Sequence, residues 1–546
     1  MPWACLDGDE LEMAVNQYDA VVVGGGHNGL VVAAYLAKYG KKVVVLEARH
    51  KTGGATDTSQ PWPDAPEYSV TTLSYVMSLM PEYVIQDLNL RQHGYDTKPL
   101  GIGYVPYADG RSMIQCNNDQ KTYDTFAQFS KRDAEQLPVF SEWIEEVANI
   151  LHPLLDQTPP RLGSKRLGDI KDLGHLAWTL RKEYSEKMVG DITRLFTMSA
   201  ADLLDRWFES DEVKGLQAVN AIIGTWAGPE TPGTAYVMMH HSVGDEASGQ
   251  QASWGVPIGG MGAVAQAIRN SAEAFGAEIR VNSPVEKITT RGGEVTGVVL
   301  EGGEEISAPL VVAACHPKIT FLKHLDRKDL PEDFVHDIEH WRSRSGTVKV
   351  NLALSELPRF KADPEFDQDV YGSGIEILEG IDYLEQAFQE AKAGRACARP
   401  FADCVIPTVF DPTMAPEGHH IVSCFAQWVP HTWSEERNQD ELEKFADRLC
   451  DEWTAVAPNF NDSILHRQVI GPWEIENEYG LIGGNIFHGE LTVDQLFHMR
   501  PALGYADYRT PIKGLYQASS ATHAGGGATA MPGHHAVREM RRDKVV

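Results

Sequence analysis

The chain has 546 residues, 42% of them apolar and 23% charged, ordinary globular usage that excludes disordered, collagen-like and coiled-coil architectures. Against 77 Asp and Glu stand 48 Lys and Arg, a formal charge of −29; a field of that sign repels phosphate backbones and argues against nucleic-acid partners. No stretch approaches the roughly 20 apolar residues needed to cross a bilayer, so no integral membrane segment is expected, with peripheral membrane contact left open.

The first 17 residues, MPWACLDGDELEMAVNQ, are acidic and carry no base, unlike a secretory signal or a transit peptide. The expected location is cytoplasmic. Cys5, Cys116, Cys315, Cys397, Cys404, Cys424 and Cys450 form no C-x-x-C pair. They read as reduced, mostly buried thiols, not as a disulfide framework or a zinc site.

Residues 18–23, YDAVVV, predict a buried strand, GGGHNGL a tight turn, VVAAYLAKYG a helix and KKVVVLE (41–47) a second strand. That order is one βαβ unit. Gly24-Gly25-Gly26-His27-Asn28-Gly29 fills the turn as G-x-G-x-x-G, and Glu47 closes the second strand. The glycine pattern alone says little, but in this frame each residue has a task. Gly24 permits the tight turn, Gly26 lets the backbone approach a pyrophosphate, and Gly29 lets helix and strand pack closely. The helix N-terminus presents free N–H groups to that pyrophosphate, and Glu47 accepts from a ribose 2′-hydroxyl. The expectation is a dinucleotide site.

From 80 to 245 turn signals are sparse, and AEQLPVFSEWIEEVANILHPLL (134–155) and EKMVGDITRLFTMSAADLLDRWF (186–208) show helical spacing. A largely helical insertion is expected there. WGVPIGGMGAV (254–264) leads into a helix ending at Gly276. Residues 277–315 read as short strands with hairpin turns at Gly292-Gly293 and Gly302-Gly303. A mixed region follows, with a strand at 346–355 and an acidic helix at 438–456. Residues 514–542 read as strand, glycine-rich loop and helix.

Just past Glu47 come Ala48-Arg49 and then Gly53-Gly54-Ala55-Thr56. A glycine pair in that place resembles the FAD-binding segment of glutathione-reductase-like flavoproteins. The chain as a whole resembles the phytoene desaturase-like group of FAD-dependent oxidoreductases, and within it the pyridine nucleotide-disulfide oxidoreductase domain-containing branch. The resemblance lies in LSYVMSLMPEYVIQDLNLRQHGY (73–95), WGVPIGGMGAV (254–264), EYGLIGGNIFHGEL (478–491) and GLYQASSATHAGGGATAMPGHHAV (514–537).

That resemblance implies an α/β fold: a discontinuous glutathione-reductase-like Rossmann FAD domain with an inserted mixed α+β substrate domain. The FAD domain would draw on 18–75, 250–320 and 495–546, the substrate domain on 76–249 and 321–494. It further implies that Ala48, Arg49, Gly54 and Ala55 line the cofactor and that the Val285 backbone meets the adenine. Ser519, Ser520 and the Thr522–Gly527 loop, with His523, would flank the pyrophosphate, ribityl chain and flavin edge. Gly533 and His534 would open a last helix whose N–H groups face flavin O2 and N1, where a helix N-terminus stabilises negative charge.

No C-x-x-C or C-x4-C follows the βαβ unit, which excludes dithiol chemistry despite the branch's label. Gly259-Gly260-Met261-Gly262 follows Trp-Gly-Val-Pro-Ile and not a strand ending in a turn, so a second dinucleotide site is not expected. Electrons should then leave to O2, a quinone or a carrier.

In GGNIFHGELTVDQLFHMR (483–500), which the resemblance sets near the flavin, His488 is a candidate general base oriented by Glu490. The plainer reading is a histidine that only holds the loop. His498 and Arg500 are candidates to anchor a carboxylate or a flavin phosphate, or to form a structural ion pair. His240-His241, His419-His420 and His534-His535 are neighbours lacking a third ligand, so no metal is expected. The absence of Gly-x-Ser-x-Gly argues against hydrolase chemistry. Twelve tryptophans and an apolar insertion suggest an apolar cavity. The expected function is an FAD-dependent oxidoreductase taking hydride from a C–H bond of an apolar small molecule onto flavin N5. A redox-neutral isomerase or saturase, and an FAD-containing regulatory protein with little catalysis, are the alternatives.

Overall fold

The computed structural model describes residues 17–77, 80–161, 166–183, 185–243 and 254–546. The acidic start with Cys5, and the expected boundary at 249–250, lie outside those residues.

Ala20–Val23 and Val43–Leu46, all small or aliphatic, pair in parallel with Val21 opposite Val44. Uninterrupted apolar runs suit central parallel strands, which are covered on both faces. The sheet extends through Val311–Ala313 to Leu515–Gln517 on one side and to Glu278–Arg280 on the other. Its five strands thus come from distant stretches of chain. On one face helix His27–Lys38 packs against helices Met261–Ala274 and Met531–Arg542. On the other face Val21 and Val311 share a core with Val298 and Ile306. Those two belong to a three-stranded antiparallel sheet, Val285–Arg291, Glu294–Leu300 and Glu305–Ser307. Its turns fall at Gly292-Gly293 and Gly302-Gly303, all four with positive φ.

A second, larger sheet runs in the order Ile464–Ile470, Thr347–Leu354, His420–Gln427, Phe401–Val405, Ser373–Ile377, Thr97–Pro106 and Ser112–Gln115. Its apolar face, with Val348, Val350, Val422 and Cys424, shares a core with Phe445, Leu449 and Trp453 of the acidic helix Gln439–Val456. By the two-residue alternation of strands, Lys349, Ser423, Asp403 and Glu376 occupy the opposite face.

Three expectations need correction here. The 80–245 stretch contains long helices, among them Lys131–Asp156, Asp211–Ile222 and Thr234–Ser242, but it opens with two strands of the second sheet. The helical reading of 186–208 breaks into Glu186–Thr197 and Ala200–Leu204, because Ser199 caps the second helix by accepting from Asp202 N at 3.0 Å. Trp254–Pro257 is a strand after all, yet it pairs antiparallel with Thr97–Pro106. It therefore does not build a second βαβ unit.

Candidate functional site

The first glycine turn is closed by contacts that tolerate no side chain. Gly24 has φ +102°, and a Cβ on Gly29 would lie 2.1 Å from Gly24 O. Gly53 N donates to Gly25 O at 2.9 Å, and a Cβ on Gly54 would sit 3.3 Å from Gly26 Cα. The glycine pair thus backs the turn. On its outer edge a Cβ on Gly26 would meet nothing within 4 Å. That open edge lies at the N-terminus of helix His27–Lys38, whose first N–H groups have no intrahelical acceptor.

Glu47 braces this turn: Oε2 accepts from Gly25 N at 2.7 Å and Oε1 from Arg49 N at 2.8 Å. A ribose hydroxyl would take the lone pairs left over. Arg49 folds over the Tyr479 ring at 4.2 Å, with its guanidinium 3.5 Å from Asp57. Ala48 is exposed, and the Ala55 carbonyl accepts from Ser74. Val285 opens its strand with a core-facing side chain, two residues after Ser283, whose N donates to Glu47 O at 2.8 Å.

The end of the chain supplies the facing wall. Asn28 Nδ2 donates to Ser520 Oγ at 3.2 Å. Gly533, in the first turn of Met531–Arg542, lets that helix approach the first one, since a Cβ there would lie 2.5 Å from Asn28 O. Two expected contacts are not of the expected kind. His523 Nε2 lies 3.0 Å from Leu154 O, so its ring ties the loop to helix Lys131–Asp156. The His534 N–H is bonded within the helix to Ala530 O, and its ring packs on Tyr35 and Tyr83, outside this cradle.

His488 has φ +57°, and its carbonyl accepts from Trp341 Nε1 at 2.8 Å. Burial, with His27 and Arg500 nearby, pushes its imidazole down to about 3. It is therefore neutral at physiological pH and is not the near-neutral base expected from its residue type. Glu490 does not orient it. That buried carboxylate accepts from Arg344 Nε at 2.7 Å and Nη2 at 2.9 Å, and from Arg342 Nε at 3.4 Å. His498 is exposed.

Arg500 is fully buried and forms no ion pair with the described residues. Its guanidinium donates to five backbone carbonyls, those of Phe487, Glu490, Gln495, Ser520 and Thr522. Burial lowers it to about 10, so it stays a cation and staples the His488 loop to the Ser520 loop.

Sequence reading missed two further groups. His27, inside the glycine motif, is pushed down to about 4 by burial. His240, on helix Thr234–Ser242, is pushed to about 3 by burial, with His241 and Arg500 beside it, and its Cε1 lies 3.7 Å from where a Gly525 Cβ would stand. Met238 and Ser242 of the same helix line a cavity of about 740 Å³ that also touches Tyr75, Trp254, Glu376 and Asp403. The same helix thus carries Met238 and Ser242 on the cavity and His240 beside the closing loop. Among the described residues no group of three or more His, Cys, Asp or Glu is placed to hold a metal ion.

An adenine dinucleotide carrying a redox ring fits these residues. The Gly26 edge is open, and His27 Nε2, Asn28 Oδ1 and His488 Nδ1 are buried polar atoms with no partner among the described residues. All three come from the two loops that the Asn28–Ser520 bond and Arg500 draw together.

Comparison with known proteins gives the same picture. The family model for flavin-containing amine oxidoreductases matches residues 198–534, and that for an NAD(P)-binding Rossmann-like domain matches 22–84. Pyridine nucleotide-disulfide oxidoreductase domain-containing protein 2 of Rattus norvegicus is 36% identical over 548 residues, covering 96% of this chain and 94% of its own. A limonene dehydrogenase polypeptide of Castellaniella defragrans is 25% identical over 557 residues, covering 97% and 95%. Among solved structures, an oxidoreductase from Methanosarcina mazei superposes with a TM-score of 0.60 at 16% identity, covering 95% of this chain and 99% of its own.

Proposed function

Because this chain belongs to the flavin-containing amine oxidoreductase family, we propose that it is an FAD-dependent dehydrogenase or oxidase taking hydride from a C–H bond of a small molecule with an apolar body. The observation that carries the reading is the pair of facing loops. One is the open Gly26 edge with Asn28; the other is Ser520, stapled through Arg500 to the His488 loop.

Bound in that cradle, FAD supplies the two-electron acceptor. Gly26 and the first helix N-terminus would meet the diphosphate, Glu47 the ribose, and Asn28, Ser520 and the loop after Thr522 the ribityl and ring portions. His27 and His488 act as neutral hydrogen-bonding groups at this seat. With imidazoles held near 4 and near 3, both are weak proton acceptors, so water or the substrate's own group takes any proton released. The cavity bordered by helix Thr234–Ser242 admits the substrate, with Leu100, Ile144 and Met238 against its apolar body. A relative named limonene dehydrogenase supports an apolar body. In the same reading, residues 18–75, 250–320 and 495–546 form the cofactor unit, and 76–249 with 321–494 form the substrate unit. Electrons then pass to O2, a quinone or a protein carrier.

The test is purification followed by anaerobic titration with candidate substrates. Yellow protein that bleaches with substrate and recovers its colour with an acceptor is the expected result. Protein that holds FAD yet bleaches with no reductant other than dithionite contradicts the redox reading.

A further inference from the structure

We infer that the groove between the first and last helices, His27–Lys38 and Met531–Arg542, is a second ligand site that takes the phosphate group of a small organic phosphate ester. The groove opens at the far end of the first helix. Tyr39 caps that end, about 18 Å along the axis from the glycine turn at 1.5 Å per residue. The inference therefore goes beyond the redox reading and does not depend on it.

One helix face builds the cationic wall. His534, Arg538, Arg541 and Arg542 recur at four, seven and eight residues, so they share one side of Met531–Arg542. Tyr35 and Tyr39, four residues apart on the first helix, form the other wall. Together they enclose a cavity of about 400 Å³, within the roughly 300–1,000 Å³ usual for small-molecule sites. The described lining residues include three guanidiniums and no carboxylate, in a chain whose formal charge is −29.

Two of those guanidiniums have no counter-charge. Arg542 Nη1 lies 3.0 Å from Asp172 and 3.1 Å from Glu539. Arg538 and Arg541 form no ion pair with the described residues. Arg538 donates from Nη1 to Asp156 O at 3.1 Å and from Nη2 to Thr158 Oγ1 at 3.0 Å. Its Nε is buried with no partner among the described residues, and so is His534 Nδ1. Arg541 lies over the Tyr39 ring at 4.7 Å and donates to the Tyr39 hydroxyl at 3.2 Å. The carboxylates that act on His534, Asp156 and Asp87, are already engaged. Asp156 accepts from Tyr83 OH at 2.6 Å and lies 3.3 Å from His535 Nε2; Asp87 accepts from Tyr35 OH at 3.1 Å. Cations in the last turn of a helix answer its dipole, which accounts for Arg541 and Arg542. Arg538 stands a turn earlier with a buried donor left over, and an anion in the groove is what completes it.

The geometry of the donors selects the anion. Arg538 and Arg541 present planar forks from successive turns. A carboxylate has two oxygens in one plane and serves one fork. A phosphate monoester carries nearly two charges and three acceptor oxygens, and so serves both forks at once. With its proton on Nδ1, His534 adds a further donor. The rings of Tyr35 and Tyr39 border the ester's organic part.

The experiment titrates full-length, FAD-loaded protein by calorimetry with sodium phenyl phosphate, sodium benzoate and benzyl alcohol. Saturable binding of phenyl phosphate, at least tenfold tighter than benzoate and with the alcohol weakest, is expected. Arg541→Gln changes an exposed side chain and should weaken phenyl phosphate at least tenfold while flavin content stays at the wild-type level. Arg541→Glu should abolish the binding. Phosphate held at the glycine turn would be indifferent to both substitutions. The inference is overturned if phenyl phosphate does not saturate, if benzoate binds as tightly, or if Arg541→Gln leaves the affinity unchanged. The wild-type comparison of the three probes decides the matter should a variant fold poorly. Sedimentation with phosphatidylcholine vesicles, with and without phosphatidic acid, identifies the source of the ester. Capture that needs phosphatidic acid and is lost in Arg541→Gln assigns it to a lipid headgroup; phenyl phosphate binding without capture assigns it to a soluble metabolite. Both results support the site.

Discussion

Asn28 and Ser520 lie at opposite ends of the chain, yet Asn28 Nδ2 donates to Ser520 Oγ at 3.2 Å. The bond joins the first glycine turn to the closing loop, and the Asn28 Oδ1 left over is buried with no partner among the described residues. The cofactor cradle is therefore a long-range object. It exists only once the last strand, Leu515–Gln517, has joined the sheet begun by Ala20–Val23.

The two glycines of the first turn should separate folding from cofactor binding. Gly29→Ala forces a methyl to within 2.1 Å of Gly24 O, an overpacking worth about 1–3 kcal/mol. It should lower the melting temperature of the cofactor-free protein as well as its flavin content. Gly26→Val meets no protein atom within 4 Å of its Cβ. It should leave the cofactor-free melting temperature within a few degrees and raise the Kd for FAD at least tenfold. Fluorescence titration and thermal melts of both variants check the contrast.

Arg500 should prove a structural cation that lysine cannot replace. Five carbonyls from two loops converge on one planar guanidinium, and an ammonium offers only three donors from one point. Arg500→Lys and Arg500→Met should both lose at least about 3 kcal/mol of stability, because several buried acceptors are left unserved. Urea midpoints with an unchanged slope measure this.

His488 and Glu490 should behave independently. Burial beside His27 and Arg500 holds the His488 imidazole near 3, so the pH profile of flavin reduction should show no limb near pH 6–7 arising from it. Glu490→Gln breaks the pairing with Arg342 and Arg344. It should cost stability on the order of 1–3 kcal/mol, these arginines being partly exposed, and leave the shape of that pH profile unmoved. Stopped-flow reduction across pH tests both statements.

The row Lys349–Asp403–Glu376 on the polar face of the large sheet makes stability depend on pH in two windows. Burial raises Asp403 to about 6, against the Tyr75 hydrogen bond and the Lys349 charge. The folded chain thus holds more protons than the unfolded one between about pH 4 and 6, and stability falls as pH rises through that range. Glu376 is raised too, by burial and by Asp403, which extends the window upward. Burial lowers Lys349 to about 8 from an ordinary 10.5. Between those values the unfolded chain holds more protons, so stability climbs as pH rises. The row costs most between about pH 6 and 8. Asp403→Asn should flatten the acid-side slope and Lys349→Met the alkaline one, as read from urea midpoints at each pH.

What the sequence disclosed was local. The first βαβ unit and its glycine turn could be read from adjacent residues, as could the Gly292-Gly293 and Gly302-Gly303 hairpins and the helix after Gly260. Strand Thr97–Pro106 was hidden because TKPLGIGYVP carries two prolines and two glycines and shows no alternation. Glu490 was assigned to its near neighbour His488, while its true partners, Arg342 and Arg344, lie well over a hundred residues earlier. The Lys349–Asp403–Glu376 row is set by the register of four strands, which no local pattern encodes. His240 looked like half of a failed metal pair until the fold set it beside Gly525.

In the proposed site FAD lies between the Gly26 edge and the Ser520 loop, and no covalent link is invoked to hold it there. The most direct measurement is acid precipitation of the purified, FAD-reconstituted protein, followed by spectra of supernatant and pellet. FAD released stoichiometrically into the supernatant from wild type, and nearly absent for Gly26→Val, is the predicted result. Colourless wild-type protein that takes up no FAD, or flavin bound equally well by Gly26→Val, would contradict it.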